Sequence, residues 1–248
     1  MRILKFVVLA IFAIYLLPAA ASAAVWYLGD HASSWRTADW SSSGVLPPAA
    51  SVPGAVVTIM SARTGGLKGA VSEHSWVVVK EKGFDSYERW DKVGWGSPVR
   101  HNGYPADGRW YSNEPRVVFS AKGEAAEQLI PKVRAAIATY PFAMRGGYHI
   151  FPGPNSNSFV AHVMRQVPEI DVALPPVSVG RDFPTNGRLA FVDPDRRDLH
   201  LSLFGYAGVS AGWKSGFEVN LFGLVAGVDV RRIGIKVPAF GTFALLGA

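Results

Sequence analysis

The sequence predicts an α+β fold, an antiparallel sheet with two main helices and a β-rich C-terminal extension, on three observations. Between residues 72 and 95 the side chains alternate with the period of a strand. From about Glu124 to Tyr140, and again after Ser156, apolar residues recur at helical spacing. Beyond Leu199 the apolar segments are short and punctuated by glycine, which is a β pattern.

The N-terminus carries Arg2 and Lys5, an apolar run from Phe6 to Leu17, Pro18, and a small-residue stretch ending Ala21-Ser22-Ala23. This is the layout of a secretory signal. The run is shorter than the roughly 20 residues of a spanning helix. That favours cleavage after Ala23, with an uncleaved membrane anchor over 1–23 as the alternative. The remainder is expected outside the cytoplasm, in the periplasm or anchored facing it. Residues 24–70 read as a wrap rich in Ser, Gly, Pro and Ala with Trp26, Tyr27, Trp35 and Trp40 interspersed, and they contain a first strand around Val52 to Met60.

Residues 71–185 form the predicted core. Ser72 to Lys80 places His74, Trp76 and Val78 on one face and Ser75, Val77 and Val79 on the other, so it belongs in the middle of a covered sheet. Tyr87 to Trp95 alternates next, a hairpin partner joined through Lys82-Gly83, and Arg116 to Ser120 makes a further short strand after two Gly turns. The first helix follows, with Leu129, Ile130, Val133, Ile137 and Tyr140 on one side and Pro131 marking either a kink or the true first turn. Residues 186–248 are the β-rich extension, entered through an extended Pro-rich link. Its segments are Leu199 to Phe204, Phe217 to Val225 and Ile233 to Val237.

The second helix is the most informative element. Phe159, Val160, Val163, Met164 and Val167 make one stripe, and stepping back three or four residues lands on Ser156, which therefore faces inward. A small polar residue on the buried side of a helix start, preceded by Gly-Pro-Asn, is where nucleophiles and anion-stabilising amides are placed. Asn155, Ser156 and Ser158 are equally good N-cap residues with no chemistry.

Composition narrows the chemistry. No cysteine occurs, so neither disulfides nor thiol mechanisms are available. The six histidines lack metal-ligand spacing, and no metal and no cofactor is expected. Removing the leader leaves 23 basic against 19 acidic residues, a net +4, scattered without the stripe of a nucleic-acid binder.

His74-Ser75-Trp76-Val77-Val78-Val79-Lys80, Val93-Gly94-Trp95-Gly96, Pro152 to Ala161, and Leu174-Pro175-Pro176 with Gly180-Arg181-Asp182-Phe183 resemble a bacterial family catalogued as domain of unknown function 3750, which implies no activity. The order of a strand opening with His, then strands, helix, and Asn-Ser-Asn-Ser-Phe at a helix start resembles the circularly permuted papain-like NlpC/P60 and lecithin:retinol acyltransferase-type proteins. That resemblance implies Ser156 in the nucleophile position, where those proteins carry cysteine, and His74 as the base. Glu88 is the first choice to orient the imidazole, with Asp91 and His101 behind it. Asn155 and Asn157 are candidate oxyanion donors, and Trp76 and Trp90 candidate ligand-stacking residues whose simpler role is packing.

Three functions follow as expectations. The first is a catalytically silent or weakly active papain-like relative that binds a cell-envelope peptide or lipid. The second is a serine-based amide or ester hydrolase or acyltransferase. The third is a structural envelope protein associated with the membrane through its N-terminus.

Overall fold

A computed structural model describes residues 2–246. Its N-terminus is one continuous helix, Arg2–Leu28, built of α1 (Arg2–Ile11), a π-helical turn (Phe12–Leu16) and α2 (Leu17–Leu28). The helix runs unbroken through Ala21-Ser22-Ala23, and its apolar surface is largely exposed. At 27 residues it measures about 40 Å, enough by length and composition to cross a membrane.

Two antiparallel sheets make up the rest of the protein, with two helices. The first sheet contains β1 (Val56–Arg63), β2 (Glu73–Lys80), β3 (Glu88–Lys92), β4 (Val99–His101) and β5 (Arg116–Lys122), in the order β4-β3-β2-β1-β5. Here β1, from within the segment read as a wrap, lies between β2 and β5 and is buried along almost its whole length. The helices α3 (Glu124–Ala138) and α4 (Ser156–Gln166) cover one face. Leu129, Ile130 and Val133 of α3 and Phe159, Val160 and Val163 of α4 pack there on Val57, Ile59, Val77 and Val79. Pro131 lies inside α3, on its exposed side, where a missing N–H is cheapest. On the opposite face, Met60, Trp76 and Val78 form a second core with Trp110, Trp40 and Tyr104, contributed by loops.

The second sheet is a meander of seven strands, β6 (Ala190–Val192), β7 (Asp198–Leu203), β8 (Ala207–Gly212), β9 (Gly216–Leu221), β10 (Leu224–Asp229), β11 (Gly234–Val237) and β12 (Gly241–Ala244). The single segment expected from Phe217 to Val225 is a hairpin. Phe222 and Gly223 both take positive φ at its turn. The strands β8 and β12 are composed largely of Gly, Ala, Ser and Thr, too weakly patterned to stand out in the sequence. The inner face of this sheet joins the core through charge. Arg181 and Lys236 both hydrogen-bond the buried carboxylate of Glu218, and Lys214 pairs with Asp193 at 3.2 Å and Asp195 at 2.9 Å.

Candidate functional site

α4 begins with a fully formed capping box. Asn155 Oδ1 accepts from the N–H groups of Asn157 and Ser158, and Ser158 Oγ accepts from the N–H of Asn155 at 2.6 Å. The box uses the second and third amides of the helix and leaves the first, that of Ser156 itself, without a capping partner. Ser156 is 4% exposed, on the inward side that the helical stripe predicts.

The helix start is tied to the start of β2. Asn157 Nδ2 donates to the carbonyl of Glu73 at 2.8 Å and to that of Val179 at 2.8 Å, while Asn155 Nδ2 donates to Ile150 and Val179. Both side-chain amides are thereby committed to backbone carbonyls. They hold α4 against the strand and have no N–H left for an oxyanion, which corrects the expectation for Asn155 and Asn157. The residue after Glu73 is His74, so the same ties bring the imidazole and Ser156 to one end of the sheet.

His74 is buried, and its Nε2 lies 2.6 Å from Asp91 Oδ1. Its ring stacks on Trp110 with centroids 3.7 Å apart. Asp91 also takes Arg89 as a fork, Nε to Oδ2 at 2.7 Å and Nη2 to Oδ1 at 3.0 Å. The Arg89 guanidinium lies 3.9 Å above the Trp76 ring. Burial works to raise the pKa of Asp91, but Arg89 and His74 outweigh it and hold it at about 2. Burial pushes the His74 imidazole down against the pull of Asp91, favouring the neutral ring. With Nε2–H directed at the carboxylate, the lone pair of the neutral ring is on Nδ1.

Asp91, and not Glu88, is the partner of His74. The β2–β3 register sets Val79 opposite Glu88 and Val77 opposite Trp90, which puts Glu88 on the helix-bearing face. There its carboxylate meets Arg134 of α3 at 2.8 Å and His101 at 3.4 Å. Three residues further on, the pleat returns Asp91 to the face of Trp76 and His74. Lys92 falls on the helix side, where Nζ donates to Phe142 O at 2.7 Å and burial lowers its pKa to about 8.

Ser156 and His74 both open on one cavity of about 870 Å³. No hydrogen bond joins the Ser156 hydroxyl to the His74 ring among the described residues. Much of the cavity wall is aromatic and apolar, with Trp95, Trp110, Tyr148, Phe151 and Val179 and, from the β9–β10 hairpin, Phe222 and Leu224, while Lys68, Ser72, Glu73 and His149 make a polar part. Neither Trp76 nor Trp90 belongs to it. Trp76 is fully buried beneath Arg89 with Nε1 bonded to Ala106 O, and Trp90 stacks on His101 at 4.1 Å. The tryptophans that line the cavity are instead Trp95, visible in the sequence as part of Val93-Gly94-Trp95-Gly96, and Trp110, whose ring is already stacked on His74. Nothing in the sequence marks Trp110, because a loop brings it to His74.

Among the described residues one group has the donors to ligate a metal. Asp193, Asp198 and His200 offer donors within 4.8 Å of one another. The chain's own groups already engage them: Lys214 pairs with Asp193, and Asp198 accepts the amides of Lys214 at 2.9 Å and Ser215 at 2.6 Å.

No curated protein and no solved structure matches the chain. The family model described as Protein of unknown function (DUF3750) matches residues 54–183, more than half of the chain, from the approach to β1 through the end of the α4 region, and the chain belongs to that family.

Proposed function

We propose that the protein is a serine-dependent acyl hydrolase or acyltransferase on a circularly permuted papain-like core, acting on an amide or ester with a large apolar portion. The observation that carries this reading is the buried His74–Asp91 pair opening on the same cavity as Ser156. Asp91 holds the imidazole in the tautomer whose Nδ1 can accept a proton, and burial keeps the ring neutral near pH 7, the state a general base requires. In the reaction His74 takes the Ser156 hydroxyl proton as the oxygen attacks the carbonyl. The Ser156 N–H, left over by the capping box, donates to the oxyanion at the positive end of α4. His74 then returns the proton to the leaving group, and water or an acceptor alcohol or amine resolves the acyl-enzyme by the same steps. Nucleophile–base contacts are commonly longer than a hydrogen bond in unliganded sites and tighten on substrate binding, so an open pair is compatible with this chemistry.

A binding role without turnover is the second reading. The open Ser156–His74 pair and the aromatic lining of the cavity favour it, and the ligand would be an envelope lipid or peptide. A fluorophosphonate probe distinguishes the two. Labelling of the wild-type chain that is lost in both Ser156→Ala and His74→Ala supports the enzyme, and no labelling between pH 6 and 9 supports the binder. The export of the chain and its attachment through the N-terminal helix belong to the same proposal. Their support is the length and exposed apolar surface of Arg2–Leu28.

A further inference from the structure

The seven-stranded sheet is built with its polarity reversed. One row of cross-strand neighbours traverses all seven strands as Val192, Leu199, Ala211, Phe217, Val228, Ile235 and Phe243, every one apolar and exposed. The adjacent row points inward and carries His200, Ser210, Glu218 and Lys236, all buried. An antiparallel sheet with one face in water normally buries its apolar row and wets its polar one. Apolar-out, polar-in alternation is the pattern of strands facing lipid.

The apolar face is continuous with the N-terminal helix. Tyr15 is buried, and its hydroxyl donates to Val219 O of β9 at 3.1 Å. Ser22 Oγ donates to Ala70 O at 2.5 Å. A helix of membrane-spanning length and composition is therefore fastened beside a sheet face of the same chemistry. At one end of the sheet the turns β6–β7 and β10–β11 carry Arg196, Arg197, Arg231 and Arg232. Asp171 serves both Arg197 and Arg231, and Asp229 pairs with Arg232, so the charges of this rim are locally compensated and it is the apolar face that suits lipid.

We infer that the outer face of the β6–β12 sheet docks on a phospholipid bilayer, beside the retained N-terminal helix, with its apolar row among the upper acyl chains. The edge strands β6 and β12 expose unpaired backbone groups, so the sheet lies at the interface and does not cross the hydrocarbon core. The inference is independent of catalysis at Ser156. It also gives the cavity a setting, because Phe222 and Leu224 belong both to this sheet and to the cavity wall.

The absence of cysteine makes the test clean. Leu199→Cys, Phe217→Cys and Ile235→Cys, with Lys82→Cys on the first sheet's β2–β3 turn as control, are each labelled with bimane on the full chain. The labelled protein is reconstituted in phosphatidylcholine/phosphatidylglycerol vesicles with and without a lipid bearing a nitroxide near the top of its acyl chain. The expected result is that nitroxide lipid reduces emission about twofold or more at the three sheet positions and leaves Lys82→Cys unchanged. Two outcomes overturn the inference. One is sheet positions as unaffected by nitroxide as the control. The other is protection from lipid accompanied by cross-linking between identical positions, which assigns the face to a second copy. A variant that misfolds is recognised by reactivity of its label equal to that in urea, and the other two positions then decide.

Discussion

Asp91 holds His74 and Arg89 at once: its Oδ1 lies 2.6 Å from His74 Nε2 while the Arg89 guanidinium grips both carboxylate oxygens. All three side chains are buried. The carboxylate therefore sets the tautomer of the candidate base and neutralises an interior arginine.

Asp91→Asn is expected to cost about 3–5 kcal/mol, because it leaves the Arg89 guanidinium buried without an anion. Urea unfolding monitored by tryptophan emission measures this. The Arg89→Met, Asp91→Asn double variant should recover part of the loss, since the unpaired charge is gone.

Ser156→Cys tests the scaffold whether or not the native alcohol turns over. A thiol beside a neutral imidazole gives up its proton readily. The new thiol should react with iodoacetamide at pH 6.5 about tenfold or more faster than free cysteine, and His74→Ala in the same chain should remove the acceleration. Equal rates with and without His74 would place the two groups outside each other's reach.

The pH dependence of probe labelling at Ser156 follows from the burial of His74. Because burial depresses its pKa, the base stays unprotonated at pH values below 6.5 where a free histidine is already charged. The labelling rate should be flat above neutrality and fall only on the acid side of pH 6.5. A midpoint above pH 7 contradicts the assignment of His74 as the base.

Lys92 provides a stability signature. Its folded pKa, about 8, is below its ordinary value of 10.5, so between these pH values the unfolded chain binds more protons than the folded one. Its contribution is fully present above pH 10.5 and is lost as pH falls through 8. The unfolding free energy of the wild type minus that of Lys92→Met should therefore rise between pH 8 and 10, measured by urea titration at each pH.

Gly180 and Gly187 separate backbone strain from collision. Both take positive φ, +95° and +72°. A Cβ at Gly187 meets nothing within 4 Å, so Gly187→Ala should cost only about 1–2 kcal/mol. A Cβ at Gly180 would stand 2.1 Å from Asn155 Nδ2, so Gly180→Ala should cost about 1–2 kcal/mol more by dislodging the cap. Thermal unfolding of the two variants measures the difference.

The amino-acid sequence by itself determined the elements whose periodicity is strong. The stripe from Phe159 to Val167, the alternation from His74 to Lys80 and the inward position of Ser156 are all local consequences of residue spacing. It also identified Ser156 and His74 as candidates. Tertiary structure alone decided which groups surround them. Whether Glu88 or Asp91 reaches His74 depends on the register between β2 and β3, and a strand's own pattern leaves its register open. Trp110 comes to the imidazole on a loop with no periodic signal, and the amides of Asn155 and Asn157 are consumed by the carbonyls of Val179 and Glu73, distant in sequence, together with that of Ile150 in the preceding loop. The reversed sheet is a further case. Its alternation can be read from residues 198–203, but only assembly against Arg181 showed that the polar row is the one turned inward, because there alone do Glu218 and Lys236 find partners that compensate their burial.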